Sequence, residues 1–276
     1  MCSACRNVGS LLGLLALILL ASLRPAAARE LRVCADPNNL PFSNERQEGF
    51  ENRIVALLAR ELNADVVYTW WAQRRGFIRN TLQAGLCDLV PGVPYAFDML
   101  RTTDPYYRST YVFVTRAGGP EISSFDDARL RDLRIGVELI GDDGANSPPV
   151  HALGHRGIVG KLRGFPVYGD YAAANPPARI VEAVSGGEVD VAVVWGPLAG
   201  YFARLQPVAL RIEPVTPHVD LPMLPMIYEI AMGVRRGDDA LRADLNAALA
   251  KNRAAIQAIL AEYGVPQVDP AGALVR

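Results

Sequence analysis

Residues 31–71, LRVCADPNNLPFSNERQEGFENRIVALLARELNADVVYTWW, decide how the rest of the chain is read. LRVCA (31–35) is a short apolar run with strand character, and DVVYTWW (65–71) is another. Between them FENRIVALLAREL (50–62) places Phe50, Ile54, Leu57, Leu58 and Leu62 at helical spacing. Strand, helix and strand in that order predict parallel strands joined by a right-handed crossover. The alternation continues with RGFIRNTLQAG (75–85), expected to be a helix stopped by Gly85, and LCDLVPG (86–92), a third strand. GVPYAFDMLRTTDPYY (92–107) reads as a turn and a short helical stretch before the strand STYVFVT (109–115). A second series runs from LRIGVEL (133–139) through the region of His151, FPVYG (165–169) and NPPARIVEAVSGG (175–187) to VDVAVVWG (189–196). Two successive α/β units, each with a mostly parallel sheet flanked by helices, are the expected architecture.

Glycine, proline and serine in RAGGPEISSFDDA (116–128) suggest the first crossing between the units, and EPVTPHVDLPMLP (213–225) suggests the return. After the strand IYEIAMGV (227–234), residues 238–264 space Leu241, Leu245, Ala248, Leu249, Ile256, Ile259 and Leu260 as an amphipathic helix pair, expected to pack back on the first unit. The expected division is a leader at 1–28, one lobe of 29–116 with 222–276, and a second lobe of 117–221. No repeat or low-complexity segment interrupts it.

The leader is expected from Arg6, the apolar run VGSLLGLLALILLASL (8–23) and the small residues AAA at 26–28. Its removal takes Arg6 and Arg24 and moves the net charge from −1 to −3. No basic block remains, which argues against nucleic acid as a partner, and no later segment is apolar enough for membrane insertion. Cys2 and Cys5 go with the leader, leaving Cys34 and Cys87 in an oxidising compartment. If their strands are neighbours, a disulfide between them closes a loop worth about 4 kcal/mol in the chain-entropy model; the alternative is two buried free thiols.

Open α/β sheets bind ligands beyond the carboxyl ends of their strands, so two such units joined by two crossings would face each other across a hinged cleft. The expected lining comes from Asp36, Asn38, Asn39, Phe42, Trp71, Arg74, Tyr95, Asp98 and Tyr106 in the first unit. The second unit would supply Asp142, Asp143, Asn146, Tyr168, Asp170 and Trp195. Trp70 and Trp71 are consecutive, so a strand points them to opposite faces.

The runs LRVCADPNNLPF, GFENRIVALLAREL, LQAGLCDLVPGV, DPYYRSTYVFVT, VSGGEVDVAVV and IAMGVRRGDDALRADLNAAL make nearly the whole mature chain resemble the type II periplasmic solute-binding proteins of the amino-acid-receptor class. That resemblance implies a two-lobed α/β fold with two hinge crossings. In such receptors an arginine on a short helix after the third strand clamps a ligand carboxylate bidentately. Counted back from DPYY, this position falls on Phe97 or Asp98 and not on Arg101. The acidic residue that holds the ligand ammonium is replaced by Trp195. The sequence therefore resembles a receptor that has lost both anchors for a zwitterion.

A narrower resemblance rests on LRVCADPNNLPFSN, TWWAQRRGFIRNTL, GDDGANSPPVHALGHRGI, VYGDY and VAVVWGPLAGYFA. These runs look like the solute-binding-protein homologues associated with quinoprotein alcohol dehydrogenases, the J-type proteins of methanol-oxidation systems. The resemblance implies a non-catalytic periplasmic accessory of a pyrroloquinoline-quinone (PQQ) methanol dehydrogenase, of the calcium or the lanthanide type, that assists its maturation or binds its large subunit. No cofactor of its own is expected. The other reading is a transport receptor for a small non-amino-acid ligand.

No nucleophile elbow or phosphate loop is present in the sequence. His151 and His155 stand four apart, a metal-capable helical spacing, but the glutamate of a zinc-protease motif is missing. Asp142 and Asp143 lack the alternating ligands and closing glutamate of a calcium loop, and GDDGANS is read as a turn with Ser147 capping a helix that starts at two prolines.

Overall fold

A computed structural model describes residues 29–139, 146–167 and 171–275. The expected leader at 1–28 lies outside them, as do Asp142, Asp143, Tyr168 and Asp170. Strand β1 (Arg29–Ala35) pairs in parallel with β2 (Ala64–Trp70), and helix α1 (Phe50–Glu61) connects them. Phe50, Ile54, Val55 and Leu58 share the face of α1 that packs on Leu31 and Val33 of β1. On its other side β1 takes β3 (Leu89–Pro94), also in parallel. Asp88 pins the start of β3, accepting from Arg32 at 2.8 and 2.6 Å and from Arg235 at 2.6 Å. Cys34 and Cys87 form a disulfide above Phe77, Leu82, Val90, Val93 and Leu100.

Two local expectations are corrected between β2 and the next long strand. Helix α2 covers only Phe77–Asn80, because Thr81 leaves helical geometry and turns its hydroxyl to the Phe77 carbonyl at 2.6 Å. The expected helical stretch within 92–107 is absent: β3 runs on to Pro94, a turn follows, and β4 (Arg101–Thr102) pairs with a later strand.

The chain then forms β5 (Tyr107–Arg116), β6 (Ile135–Leu139), α3 (Pro148–His155), β7 (Leu162–Pro166), α4 (Arg179–Ser185), β8 (Val191–Trp195), α5 (Gly196–Ala203), β9 (Leu210–Pro214), β10 (Ile227–Val234), α6 (Asp239–Lys251) and α7 (Arg253–Glu262). The main path of the sheet is β2-β1-β3-β10-β5-β8-β6-β7, with β4 on β10 and β9 on β5. The two ends are parallel, but β10 and β5 run antiparallel to all their partners, so the sheet is mixed and not mostly parallel. Pairing partners change within β5: Tyr107–Thr110 face β10, and Tyr111–Trp195 begins the register with β8. Residues 117–128 are packed structure, with Ile122 and Phe125 buried and the Phe125 ring 5.2 Å from Phe113. Helices α6 and α7 place Leu241, Leu245, Leu249, Ile256 and Leu260 in the same core as α1 and β1. Among the described residues no helix is long and apolar enough to cross a membrane.

Candidate functional site

A cavity of about 340 Å³ lies where the carboxyl end of β6 and β8 meets the first turn of α1 and the end of β3. Its construction starts at Gly49, where a Cβ would stand 2.0 Å from the Phe42 carbonyl oxygen. With glycine there, the loop settles on the helix end, and the N–H groups of Phe50 and Glu51 donate to the carbonyls of Pro41 and Phe42 at 2.8 and 3.0 Å. Glu51, on the same helical stripe as Val55 and Leu58, is thereby turned inward. Its carboxyl fills a slot left by Gly92, whose Cβ would lie 2.0 Å from Glu51 Oε1. Glu51 is 8% exposed, and among the described residues no hydrogen bond or ion pair reaches its carboxyl. Burial pushes its pKa up to about 8.

The second carboxyl belongs to Glu138, near the end of β6 and 4% exposed. Burial raises its pKa to about 7, while the Trp195 backbone N–H, donating at 3.1 Å, opposes that rise. The Ser147 hydroxyl donates to the Glu138 backbone carbonyl at 2.8 Å; Ser147 occupies the expected N-cap position of α3 without capping through its side chain. Trp195 ends β8, and its ring meets Tyr111 and Tyr228 edge-on at 5.3 and 5.8 Å. Phe42 and Tyr107 complete an aromatic lining. Asn39 and Gln73 add amides, joined by a 3.2 Å hydrogen bond, and Asn39 Oδ1 is buried without a partner. Among the described residues no arginine, lysine or histidine lines the cavity. The arrangement offers two buried carboxyls, side-chain amides, tyrosine hydroxyls and ring faces, and among the described residues no nucleophile stands against a base there.

Of the residues expected from sequence, Asn39, Phe42 and Trp195 line this cavity. Asp36, Asn38 and Arg74 instead meet the segment 171–173. Asp36 accepts the N–H groups of Asn38 and Gln73 at 2.8 and 2.7 Å and the Tyr171 hydroxyl at 2.9 Å. Asn38 donates its side-chain amide to the Ala173 carbonyl at 2.8 Å, and the Arg74 guanidinium lies 5.5 Å above the Tyr171 ring. Trp71 and Tyr95 are exposed beyond β2 and β3. Asp98 is exposed in the turn before β4, where its carbonyl accepts from Arg236. Tyr106 is buried behind Tyr107, its hydroxyl donating to the Pro91 carbonyl at 3.1 Å. Asn146 bridges to Leu139, and Pro148, two residues on, is the one that reaches the cavity. His155 Nδ1 lies 2.9 Å from Asp220, which also takes Arg156 at 2.8 Å. Among the described residues no group of three metal-ligating side chains forms.

Sequence reasoning missed Glu51 and Glu138. Each carries a signal: Glu51 is a carboxylate on the apolar stripe of a helix, and Glu138 is one next to the carboxyl end of a buried strand.

A model of the bacterial extracellular solute-binding proteins, family 3, matches residues 31–266. The chain belongs to that family. Among its relatives, Protein MoxJ of Methylorubrum extorquens is 34% identical over 248 residues, covering 87% of this chain and 82% of that protein. The crystal structure of periplasmic binding protein XoxJ from Methylobacterium extorquens AM1 matches with a TM-score of 0.71 at 34% identity, over 87% of this chain and 99% of that one. MxaJ from Methlophaga aminisulfidivorans MPT gives a TM-score of 0.72 at 26% identity, over 86% and 100%. This family 3 protein is periplasmic and has the type II binding-protein fold, a curled mixed sheet flanked by helices. Where the amino-acid-receptor pattern would have a clamping arginine, this solute-binding protein has a non-helical turn holding Phe97 and Asp98. Arg101 stands outside on β4, 61% exposed in its side chain and 4.0 Å from Asp239.

Proposed function

We propose that this protein is the periplasmic accessory of a PQQ-dependent methanol dehydrogenase and works by contact with that enzyme's large subunit, assisting its maturation or activity without catalysing a reaction. The observation that carries the reading is a binding-protein cavity without basic side chains among the described residues, in a chain whose relatives include MoxJ and XoxJ. An α-amino acid placed there would leave its carboxylate without a cationic partner and beside two acids, at a cost of several kcal/mol. In this reading residues 29–116 with 222–276 form one lobe and 117–221 the other, with β5 and β10 passing between them.

A second reading, a receptor that delivers a small non-amino-acid solute to a permease, is favoured by the cavity itself. The fold serves both. The test immobilises the mature protein and presents intact methanol dehydrogenase of each metal type. Retention of the large subunit, with a raised melting temperature of the mixture, is the expected result. No retention from either enzyme at micromolar concentration, together with closure of the protein on a small solute in X-ray scattering, would replace the first reading by the second.

A further inference from the structure

The cavity has a chemical bias that the accessory role does not explain. Among the described residues the Glu51 carboxyl and Asn39 Oδ1 have no hydrogen-bond partner, and the Glu138 carboxyl receives one backbone N–H. Both carboxyls belong to residues more than nine-tenths buried, and among the described residues no basic side chain lines the cavity. Around them stand Phe42, Tyr107, Tyr111, Trp195 and Tyr228, whose ring faces carry negative potential. A buried acceptor left unpaired costs free energy that a donor in the cavity would recover.

We propose that this cavity binds a compact organic ammonium ion, a protonated amine whose N–H groups meet Glu51, Glu138 and Asn39 and whose carbon skeleton lies against the aromatic rings. A hard metal ion is a poorer occupant. Calcium takes six to eight oxygens, and the lining is dominated by carbon. An anion or zwitterion would find no cationic side chain in the described lining to pair with its carboxylate. The inference stands apart from the dehydrogenase reading, since a cation site can exist with or without a protein partner.

Binding should be coupled to proton release. The titratable groups that face Glu51 are Tyr68, Tyr106 and Tyr107, all held in the phenol form by burial, so none of them supplies a positive charge. Glu138 faces the Trp195 N–H. A cation seated beside these carboxyls favours their ionised forms, and the protons they hold at neutral pH leave as it binds.

The test is calorimetric titration of the mature protein with 3-methylbutylammonium and with 3-methylbutan-1-ol, a pair alike in skeleton and different in charge. The amine is expected to bind at least about tenfold more tightly than the alcohol. Its apparent enthalpy should vary with the ionisation enthalpy of the buffer, reporting net proton release, and its affinity should rise from pH 6 to pH 8.5. Glu51→Gln, an isosteric change, is expected to lower amine affinity about tenfold and to reduce the proton release. Equal or tighter binding of the alcohol would overturn the proposal, as would amine binding without proton release, tighter binding of calcium chloride than of the amine, or no binding of the amine at millimolar concentration. The matched pair needs no variant, so a misfolded Glu51→Gln leaves the proposal open to refutation. Failure here leaves dehydrogenase capture untouched, and failure of capture leaves the amine titration untouched.

Discussion

Glu51 and Glu138 are carboxyls that folding makes harder to ionise, and this has a sign that stability measurements can read. Each has a native pKa raised above its ordinary value near 4.5, to about 8 and about 7. Between those limits the native state holds protons that the unfolded chain releases. Their contribution is therefore fully present below about pH 4.5 and is lost as the pH climbs through 7 and 8. Asp88 acts in the opposite sense. Burial alone would raise its pKa, but Arg32 and Arg235 hold it below the usual carboxylate range, so its contribution is present above the ordinary value and disappears in acid. Across pH 5.5 to 8.5 the two glutamates therefore lower stability as the pH rises. The expected outcome is a melting temperature at least about 5 °C higher at pH 5.5 than at pH 8.5. Glu51→Gln should flatten that slope and make the variant more stable than the parent at pH 8.5, where the parent must bury an ionised carboxylate. A parent protein whose stability rises steadily across this range would contradict the burial of these groups as described.

At the scale of elements, the disulfide is the clearest case of two segments held by more than packing. It joins the end of β1 to the approach to β3 across 53 residues, a span that contains α1, β2 and α2. In the chain-entropy model a loop of that length contributes about 4 kcal/mol by restricting the unfolded state. The double variant Cys34→Ser, Cys87→Ser is expected to lose about 2–4 kcal/mol in denaturant unfolding, and the parent should lose a similar amount under reducing conditions. The pairing was legible because both cysteines sit in apolar runs that a parallel sheet could make neighbours, and the same regularity made β1, α1 and β2 readable from spacing. What was not legible depended on contacts remote in sequence or on local geometry that spacing does not encode. The Thr81 hydroxyl ends α2 by bonding the Phe77 carbonyl, although the apolar spacing continues to Leu82. The 92–107 stretch forms strand and turn, since β10 offers it ladder partners at Val93 and Pro94 and again at Arg101 and Thr102. The acids of the cavity were obscured for a related reason: Glu51 becomes a site residue only once Gly92, forty-one positions later, opens a slot for it. Asn39, Phe42 and Trp195, which line the cavity, lie at strand ends or in the loops beside them, where open sheets place ligands.

At the scale of the whole molecule, contacts among the described residues tie the loop after β1 to the segment after β7 across the fold. The Tyr171 hydroxyl donates to Asp36, the Asn38 amide donates to the Ala173 carbonyl, and Arg74 stacks over the Tyr171 ring. Burial, followed by the Asp36 charge, raises the pKa of Tyr171, so it remains a phenol donor throughout the physiological range. A hydrogen bond to a charged acceptor is worth about 1.5–3 kcal/mol, enough to set the population of an arrangement in which these segments touch. Tyr171→Phe removes that donor and keeps the ring beneath Arg74, whereas a change at Asp36 would also release the Asn38 and Gln73 backbone groups and disturb the loop itself. Spin labels at Arg60 on α1 and at Val159 after α3, both exposed, report the separation of the two regions. The parent is expected to show one dominant distance, and Tyr171→Phe a second, longer population with little change in the unfolding midpoint of the core. Arg74→Ala should give a smaller shift in the same direction, because a cation–π contact at an exposed guanidinium contributes about 0.5–1 kcal/mol. If the distance distribution is the same in all three proteins, these contacts follow the arrangement of the fold and do not govern it. A protein that meets its partner with the cleft held by such a bridge would present one fixed surface, and loosening the bridge should then weaken dehydrogenase capture in proportion to the population displaced.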